Sequence, residues 1–204
     1  MRAPAKLFLA SSNPGKLAEY RGLVTPSASL LPIDLALLTD FEALPVFEEN
    51  FATFAENAAG KALHYSRHTN GLVFADDSGL VVPALAGAPG VHSARYAGPQ
   101  ATNAKRIEKL LGEMRGKTGS ARAAYFVCAI ALAEQGRALA IVTDRVDGEI
   151  LDAPHGSGGF GYDPVFYFPA LGNTFAEIPA EEKNQHSHRG KAFRRLLAAL
   201  SSMI

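Results

Sequence analysis

The sequence lacks the features that define several large classes of protein. Its single cysteine, Cys128, can form neither an internal disulfide nor a zinc site built from several thiolates. Because Cys128 lies in an apolar stretch, we expect a buried structural thiol and not a nucleophile. The N-terminus leads into an apolar run too short for a signal peptide or a membrane span. We therefore expect a cytoplasmic protein without a membrane partner.

An excess of charge of one sign is also missing. Lys plus Arg number 20 and Asp plus Glu number 20, so the formal net charge is zero. This balance argues against bulk electrostatic binding to nucleic acid or anionic lipid, although it allows a local basic site. The 204 residues are 48% hydrophobic and 20% charged, which is ordinary for a globular protein with a real core. The sequence has no repeat, low-complexity tract or linker, so we expect one domain spanning residues 1–204.

Hydrophobic patterning predicts an α/β protein with a mixed β-sheet and flanking helices. Strands are predicted at residues 6–10, 72–75, 121–133 and 138–146, and helices from about 16, at 53–66, at 102–115 and from about 190. Residues 80–82 are predicted to pair with 72–75 as a hairpin, and residues 26–32 break the pattern. The second helix begins with a capping box, Thr53 to Glu56. The chain length also allows two lobes around a cleft.

An acidic doublet follows the predicted strand 72–75. Asp76 and Asp77 precede Ser78 at the end of this strand, where an open α/β sheet places its ligands. Adjacent strand residues point to opposite faces, so the two carboxylates need not share a role. Paired acids suit a hard cation such as Mg²⁺, which is usually shared with substrate phosphates. A capped strand end with solvated charges is the alternative.

Other candidate metal ligands lie upstream. Glu48 and Glu49 form a second acidic doublet, which could complete a metal site with the aspartates or be surface charge. His64 and His68 are four residues apart on a predicted helix, but no third zinc ligand accompanies them. The sequence therefore favours an oxygen-ligand site over a zinc site.

The segment 11–16, Ser-Ser-Asn-Pro-Gly-Lys, joins a strand to a helix N-terminus. Free backbone N–H groups, hydroxyls and an ammonium group make such a junction suitable for an anion. It is not a Walker A loop, because the leading glycine and the Ser or Thr after the lysine are missing. The simpler alternative is a capped helix, with Asn13 as N-cap and Pro14 at the first helical position.

The glycine-rich segment 156–161 matches G-x-G-x-x-G literally. Pro164 follows almost at once, so no crossover helix can start there, and a dinucleotide site is rejected. We expect the glycines instead to let the backbone approach a ligand, with Phe160 and Tyr162 offering aromatic faces. A surface turn is the alternative.

A charged segment precedes the last predicted helix. Lys183 and Arg189 could bind phosphate or base carbonyls, and His188 is a possible donor to the same ligand. The commoner alternative is a solvent-exposed charged segment that simply precedes a helix. Serine hydrolase chemistry is disfavoured, because the sequence contains no G-x-S-x-G.

Together, these segments resemble the Ham1/RdgB family of inosine triphosphate pyrophosphatases over nearly the whole chain. The matching segments are SSNPGK (11–16), FAENA (54–58), ADDSGL (75–80), GAPGV (87–91), SARY (93–96), GFGYDP (159–164) and SHRG (187–190). Each is weak alone, but their common order and spacing are specific. In one departure, His92 stands where the family often has an aromatic residue, which affects a pocket edge or dimer contact more than the activity.

The resemblance implies a homodimeric, Mg²⁺-dependent enzyme with two lobes around a central substrate cleft. Such an enzyme hydrolyses non-canonical purine nucleoside triphosphates (ITP, dITP and XTP) to the monophosphate and pyrophosphate, which cleanses the nucleotide pool. Two alternatives from other classes are a non-catalytic nucleotide-binding sensor and a metal phosphohydrolase acting on another nucleotide.

The family roles carry over to matching residues. Asp77 would bind the metal and accept a proton from the attacking water, while Asp76 would support it from the other face. Glu49 would be the second metal ligand, with Glu48 as the alternative in that doublet. Substrate-binding residues would be Ser11, Ser12, Asn13, Pro14, Gly15 and Lys16 at the triphosphate, Ser78, and Phe160, Gly161, Tyr162, Asp163, Lys183, His188 and Arg189 at the nucleotide and base.

Overall fold

The computed structural model describes residues 5–24 and 33–203. The strands are β1 (Ala5–Leu9), β2 (Ile33–Leu37), β3 (Leu72–Val81), β4 (Ala123–Glu134), β5 (Arg137–Ile150), β6 (Phe166–Phe168) and β7 (Asn173–Thr174). The helices are α1 (Pro14–Leu23), α2 (Phe54–Ser66), α3 (Asn103–Glu113), α4 (Ala180–His186) and α5 (His188–Met203). The predicted break at 26–32 lies outside the described residues.

The strands form one seven-stranded sheet in the order β2-β1-β3-β4-β5-β6-β7. β1 pairs in parallel with β2 and with β3, whereas β6 is antiparallel to both β5 and β7. The predicted mixed α/β fold with flanking helices is therefore confirmed. Within the described residues, no helix is long and apolar enough to cross a membrane.

Strand β3 differs from the sequence prediction. It runs unbroken from Leu72 to Val81, so the predicted hairpin between 72–75 and 80–82 is wrong. The Asp-Asp-Ser-Gly sequence is typical of a turn, but here both aspartates are buried within the strand. The neighbouring strand β1 does end beside the doublet, because it stops at Leu9, which pairs with Phe74. The backbone N–H of Ala10 then donates a hydrogen bond to the Phe74 carbonyl at 2.9 Å. The acidic doublet thus lies just beyond the carboxyl end of β1.

The chain forms two compact units. The first contains residues 1–77, 128–144 and 189–204, and the second contains residues 78–127 and 145–188. In the first unit, alternate residues of the strands face opposite sides, as strand geometry requires. Leu7, Leu9 and Phe74 pack with α1 and α5, whereas Phe8 and Val73 pack with α2.

The core of the second unit is built around α3 and several aromatic rings. Ile107, Leu110 and Met114 are buried along one side of α3, as their helical spacing predicts. They belong to the same cluster as Phe126 and Phe166, whose ring centroids are 4.6 Å apart. Each unit therefore has its own apolar core.

Candidate active site

Asp76 is a fully buried carboxylate held by two cations of the first unit. Lys16 Nζ lies 3.0 Å from each of its oxygens, and Arg189 Nε lies 3.6 Å from Oδ2. Burial opposes ionisation, but Lys16 and Arg189 outweigh it and hold the pKa of Asp76 well below its usual range. A lowered pKa favours the ionised form of Asp76, which is held by Lys16 and Arg189.

Asp77 points to the other face of β3 and has a different environment. Its Oδ2 accepts a hydrogen bond from Asn57 Nδ2 at 3.0 Å. Burial, and next the nearby Glu49 carboxylate, raise the pKa of Asp77 to about 6, although Asn57 and Lys16 act in the opposite direction. A carboxylate with this raised proton affinity is suited to take a proton from water or to bind a cation.

The two members of the other acidic doublet are placed differently. Glu49 is half-buried, forms an ion pair with Lys61 of α2, and is the carboxylate whose charge helps to raise the pKa of Asp77. Glu48 is exposed and accepts a hydrogen bond from Asn50 Nδ2 at 2.8 Å. Of this doublet, Glu49 is the member that lies in the electrostatic environment of Asp77.

These carboxylates fit a divalent cation of the Mg²⁺ type. Asp77 and Glu49 are oxygen donors that repel each other, and a dication would relieve that repulsion. No cluster of three His, Cys, Asp or Glu side chains suited to a metal occurs in residues 5–24 and 33–203. Mg²⁺ commonly binds through one or two carboxylates and completes its shell with water and substrate phosphates. Asp77 and Glu49 would hold it in that way.

The loop before α1 is a capped helix start. Asn13 Oδ1 accepts hydrogen bonds from the backbone N–H groups of Gly15 at 2.9 Å and Lys16 at 3.3 Å, and a proline occupies the start of the helix. The predicted cap is therefore confirmed. Ser11 is buried and its Oγ accepts from Asn13 N–H at 3.1 Å, whereas Ser12 is exposed. The loop thus places Lys16 beside Asp76.

Arg189, at the start of α5, is buried in the first unit. It forms an ion pair with Glu19 of α1 and lies beside Asp76. Burial acts against its charged form, but Glu19 and Asp76 outweigh that effect and raise the pKa of Arg189 above its usual value. The structure therefore joins Arg189, Asp76 and Lys16 in one ionic network.

A separate group lies in the second unit. Lys183 Nζ is 2.6 Å from Asp163 Oδ2 and lies over the Phe160 ring, 5.0 Å from its centroid. The Phe160 backbone N–H donates to the same Asp163 oxygen at 2.8 Å. Gly159 has a φ of +67°, and a Cβ there would lie 2.2 Å from Asp163 Oδ2, so only glycine fits. The predicted residues Phe160, Asp163 and Lys183 are thus brought together, with Gly161 following in the same loop.

Two predicted site residues of this unit lie in its core. Tyr162 is buried, its hydroxyl donates to the Ser93 carbonyl at 2.9 Å, and burial raises its pKa above the usual value. Its ring therefore does not present the exposed aromatic face expected from the sequence. His188 is also buried and stacks on Phe126, with ring centroids 4.8 Å apart. Ser78 is half-buried in β3, directly after Asp77.

Sequence reasoning did not single out three residues that the structure places around the aspartates. Asn57 and Lys61 lie four apart on α2, the spacing that puts two side chains on one face of a helix. Glu19 lies three residues after Lys16 on α1, also on a shared face. Their helical spacing is the sequence signal that could have identified them. Asn57 and Lys61 follow the capping box of α2, and Glu19 follows the loop 11–16 on α1.

The fold and these groups define a class, the mixed-sheet α/β proteins whose buried carboxylates are paired with lysine and arginine side chains. Comparison with known sequences is more specific, because the model of the Ham1 family matches residues 7–199. The chain belongs to the Ham1 family.

Relatives match over nearly their full length. The dITP/XTP pyrophosphatase of Geobacillus kaustophilus is 49% identical over 191 residues, which cover 94% of this chain and 92% of that protein. The dITP/XTP pyrophosphatase of Gloeobacter violaceus is 48% identical over 195 residues, covering 96% and 94%. Among solved structures, a HAM1 protein from Coxiella burnetii superposes with a TM-score of 0.85 at 43% identity, covering 97% of this chain and 99% of that one.

Proposed function

We propose that the protein is a nucleoside-triphosphate pyrophosphatase that hydrolyses ITP, dITP and XTP to the nucleoside monophosphate and pyrophosphate. The observation that carries this proposal is Asp77, a buried carboxylate with a raised pKa, fixed by Asn57 beside Glu49. Hydrolysis of a phosphoanhydride needs such a group to take a proton from water. Relatives that match over almost the whole chain are named dITP/XTP pyrophosphatases.

In the proposed reaction, Asp77 accepts a proton from a water molecule whose oxygen forms a bond to the first phosphorus. The bond from that phosphorus to the oxygen bridging the first and second phosphates breaks, and pyrophosphate leaves with the electron pair. The loop 11–16, including Lys16, binds the triphosphate. Mg²⁺ bound by Asp77 and Glu49 would supply charge neutralisation on the phosphates and a lower pKa for the attacking water.

We assign selection of the base to Phe160, Lys183 and their neighbours in the second unit. A half-buried aromatic ring can stack on a purine, and stacking on such a ring contributes ~1–3 kcal/mol per base in single-strand binders. Within this unit, Lys183 is the donor proposed for the 6-oxo group, because His188 is buried against Phe126 and Arg189 belongs to the ionic network of the first unit. A site built to hydrogen-bond a substrate group rejects an analogue without that group by ~10⁴-fold or more.

Three further features are part of the proposal because the family resemblance implies them. The enzyme uses Mg²⁺, forms a homodimer and acts in the cytoplasm as part of nucleotide-pool cleansing. Light scattering on the purified protein tests the dimer, and a mass equal to that of one chain would contradict it.

A substrate panel tests the proposed activity. ITP, dITP, XTP, GTP, ATP and dUTP are incubated separately with enzyme and Mg²⁺, and pyrophosphate and orthophosphate are measured in parallel. We expect pyrophosphate from the first three, and loss of the activity in excess EDTA. Orthophosphate as the product would refute the cleavage position, and faster turnover of dUTP would refute the purine assignment. Tight ITP binding without turnover in several divalent metals would indicate a sensor.

A further inference from the structure

We propose that Asn57 is a positioning residue that fixes Asp77 and the segment carrying Glu49 relative to each other, so that both carboxylates can bind one divalent cation. The inference deepens the proposed function and rests on it for the identity of the metal site. Asn57 itself does not touch the reacting atoms in this proposal, because it acts through Asp77.

The first step is the orientation of the Asn57 amide. The side chain is only 1% exposed, and its Oδ1 accepts a hydrogen bond from the Phe51 backbone N–H at 3.0 Å. A backbone N–H can only donate, so the oxygen of the amide must face Phe51. The amide nitrogen is thereby directed to Asp77 Oδ2 at 3.0 Å and also reaches the Phe51 carbonyl at 3.4 Å.

The second step is the effect on Asp77. A hydrogen bond to one carboxylate oxygen sets the rotation of the whole group, because both oxygens belong to one plane. Asp77 is 7% exposed and lies in a strand, so its backbone is also fixed. Asn57 therefore presents the carboxylate in one orientation before any ligand binds, which is the usual role of a group behind a metal ligand.

The third step is the effect on Glu49. Phe51 is two residues after Glu49, and Asn57 bonds to both its N–H and its carbonyl, so this part of the chain is tied to α2. Lys61, one turn further along α2, forms the ion pair with Glu49 itself. One face of α2 thus fixes both carboxylates, Asp77 through Asn57 and Glu49 through Lys61.

The test removes the amide while keeping the size of the side chain. In Asn57→Leu, and in Asn57→Ala should the first variant fail to fold, we expect Mn²⁺ affinity without substrate to fall about 10- to 100-fold. Binding is measured by electron paramagnetic resonance of free Mn²⁺ on the full-length protein. We also expect the Mg²⁺ concentration for half-maximal pyrophosphate release to rise by a similar factor.

The matched control is Ser66→Ala. Ser66 lies on the same helix, is fully buried, and its Oγ accepts a hydrogen bond from the Gly136 backbone N–H at 2.9 Å. Its loss should lower Tm as the Asn57 substitutions do, but leave Mn²⁺ affinity within about twofold of the native protein, because it does not contact either carboxylate. A purely structural effect of Asn57 would give the same pattern as this control.

The outcomes separate this inference from the proposed function. Weakened Mn²⁺ binding in the Asn57 variants, with unchanged binding in Ser66→Ala, supports the positioning role. Native-like Mn²⁺ affinity in a folded Asn57 variant overturns it, and so does a native protein that binds no Mn²⁺. Absence of pyrophosphate release by the native enzyme contradicts the proposed function, while the Mn²⁺ measurement still decides the role of Asn57.

Discussion

The neighbouring aspartates Asp76 and Asp77 meet opposite electrostatic environments although one peptide bond separates them. Asp76 faces Lys16 and Arg189, which keep it ionised, whereas Asp77 faces Glu49 and an amide. Strand alternation produces this difference, because it directs consecutive side chains to opposite faces. The pair therefore combines a structural anion with a carboxylate that can take up a proton.

Asp77→Asn should remove most of the activity and yet stabilise the metal-free protein. Loss of a general base costs about 10²–10⁴-fold in kcat. The pKa of Asp77 is raised to about 6 in the folded protein, so ionisation of Asp77 destabilises the fold. The destabilisation begins as the pH rises above the pKa of the unfolded state, and it is complete once the pH exceeds the pKa of the folded state. The variant should gain up to about 3 kcal/mol in the free energy of unfolding at pH 7. Urea unfolding in EDTA from pH 4 to 8 measures this gain.

Asp76→Asn is the matched control, with the opposite sign. The folded pKa of Asp76 is lowered, so its ionised form contributes stability that is present near neutral pH and is lost only as the pH falls through the acidic range. This variant should therefore be less stable than the native protein at pH 7. A metal-free Asp77→Asn protein that is also less stable at pH 7 would refute the assigned difference between the two residues.

Cys128 should be unreactive in the folded protein. Burial, and then the Asp76 carboxylate, raise its pKa to about 12, so the thiolate needed for disulfide exchange is scarce at pH 8. Treatment with Ellman's reagent should label no thiol in the native protein and one thiol per chain in guanidinium chloride. Rapid labelling of the native protein would show that β4 is more open than its packing indicates.

Helix α2 contributes Asn57 and Lys61 to the surroundings of Asp77 and Glu49. Its N-terminus is fixed by a capping box: Thr53 Oγ1 accepts from the Glu56 N–H at 3.2 Å, and Glu56 Oε2 accepts from the Thr53 N–H at 3.2 Å. Thr53→Ala should lower the free energy of unfolding by about 1 kcal/mol, measured by urea titration. Thr53→Ser keeps the hydroxyl and should retain most of that stability, and equal losses in both variants would rule out the cap as the cause.

Elements with local signals could be predicted from the sequence, and elements that depend on distant partners could not. The capping box of α2 is a short local pattern, Thr53 to Glu56. The apolar residues of α3 and α5 recur at helical spacing, so these signals also lie close together in the sequence. The sequence predicts two strands within β3 because its second half contains turn-forming residues, and only their burial in the sheet makes those residues part of one strand. β2, β6, β7 and α4 were missed, being short and without a distinct period.

The same distinction applies to the candidate site. Residue type selected Lys16 and the two acidic doublets as candidates, and the family resemblance selected Asp77 and Glu49 within those doublets. Their partners were not predictable, because Lys16 meets Asp76 across 60 positions and Arg189 meets Glu19 across 170. The inward orientation of Tyr162 likewise depends on Ser93, which lies 69 positions earlier.

At the scale of the whole molecule, basic and acidic residues are equal in number, and the cations discussed above each have a carboxylate partner. The chain has 20 basic and 20 acidic residues. In the first unit Lys16 pairs with Asp76, Lys61 with Glu49 and Arg189 with Glu19, and in the second unit Lys183 pairs with Asp163. A protein arranged in this way has a weak field at long range, although each cation can bind a phosphate at contact distance.

This balance predicts that capture of the polyanionic substrate depends little on salt. Electrostatic steering acts over the Debye length, which falls from about 30 Å at 0.01 M to about 8 Å at 0.15 M ionic strength. With no net charge to screen, kcat/KM for dITP should change by less than about threefold across that range at constant free Mg²⁺. Initial rates at low dITP measure it, with kcat at saturating dITP as the internal control. A fall of tenfold or more in kcat/KM alone would mean that substrate is attracted from a distance by cations whose carboxylate partners do not neutralise them.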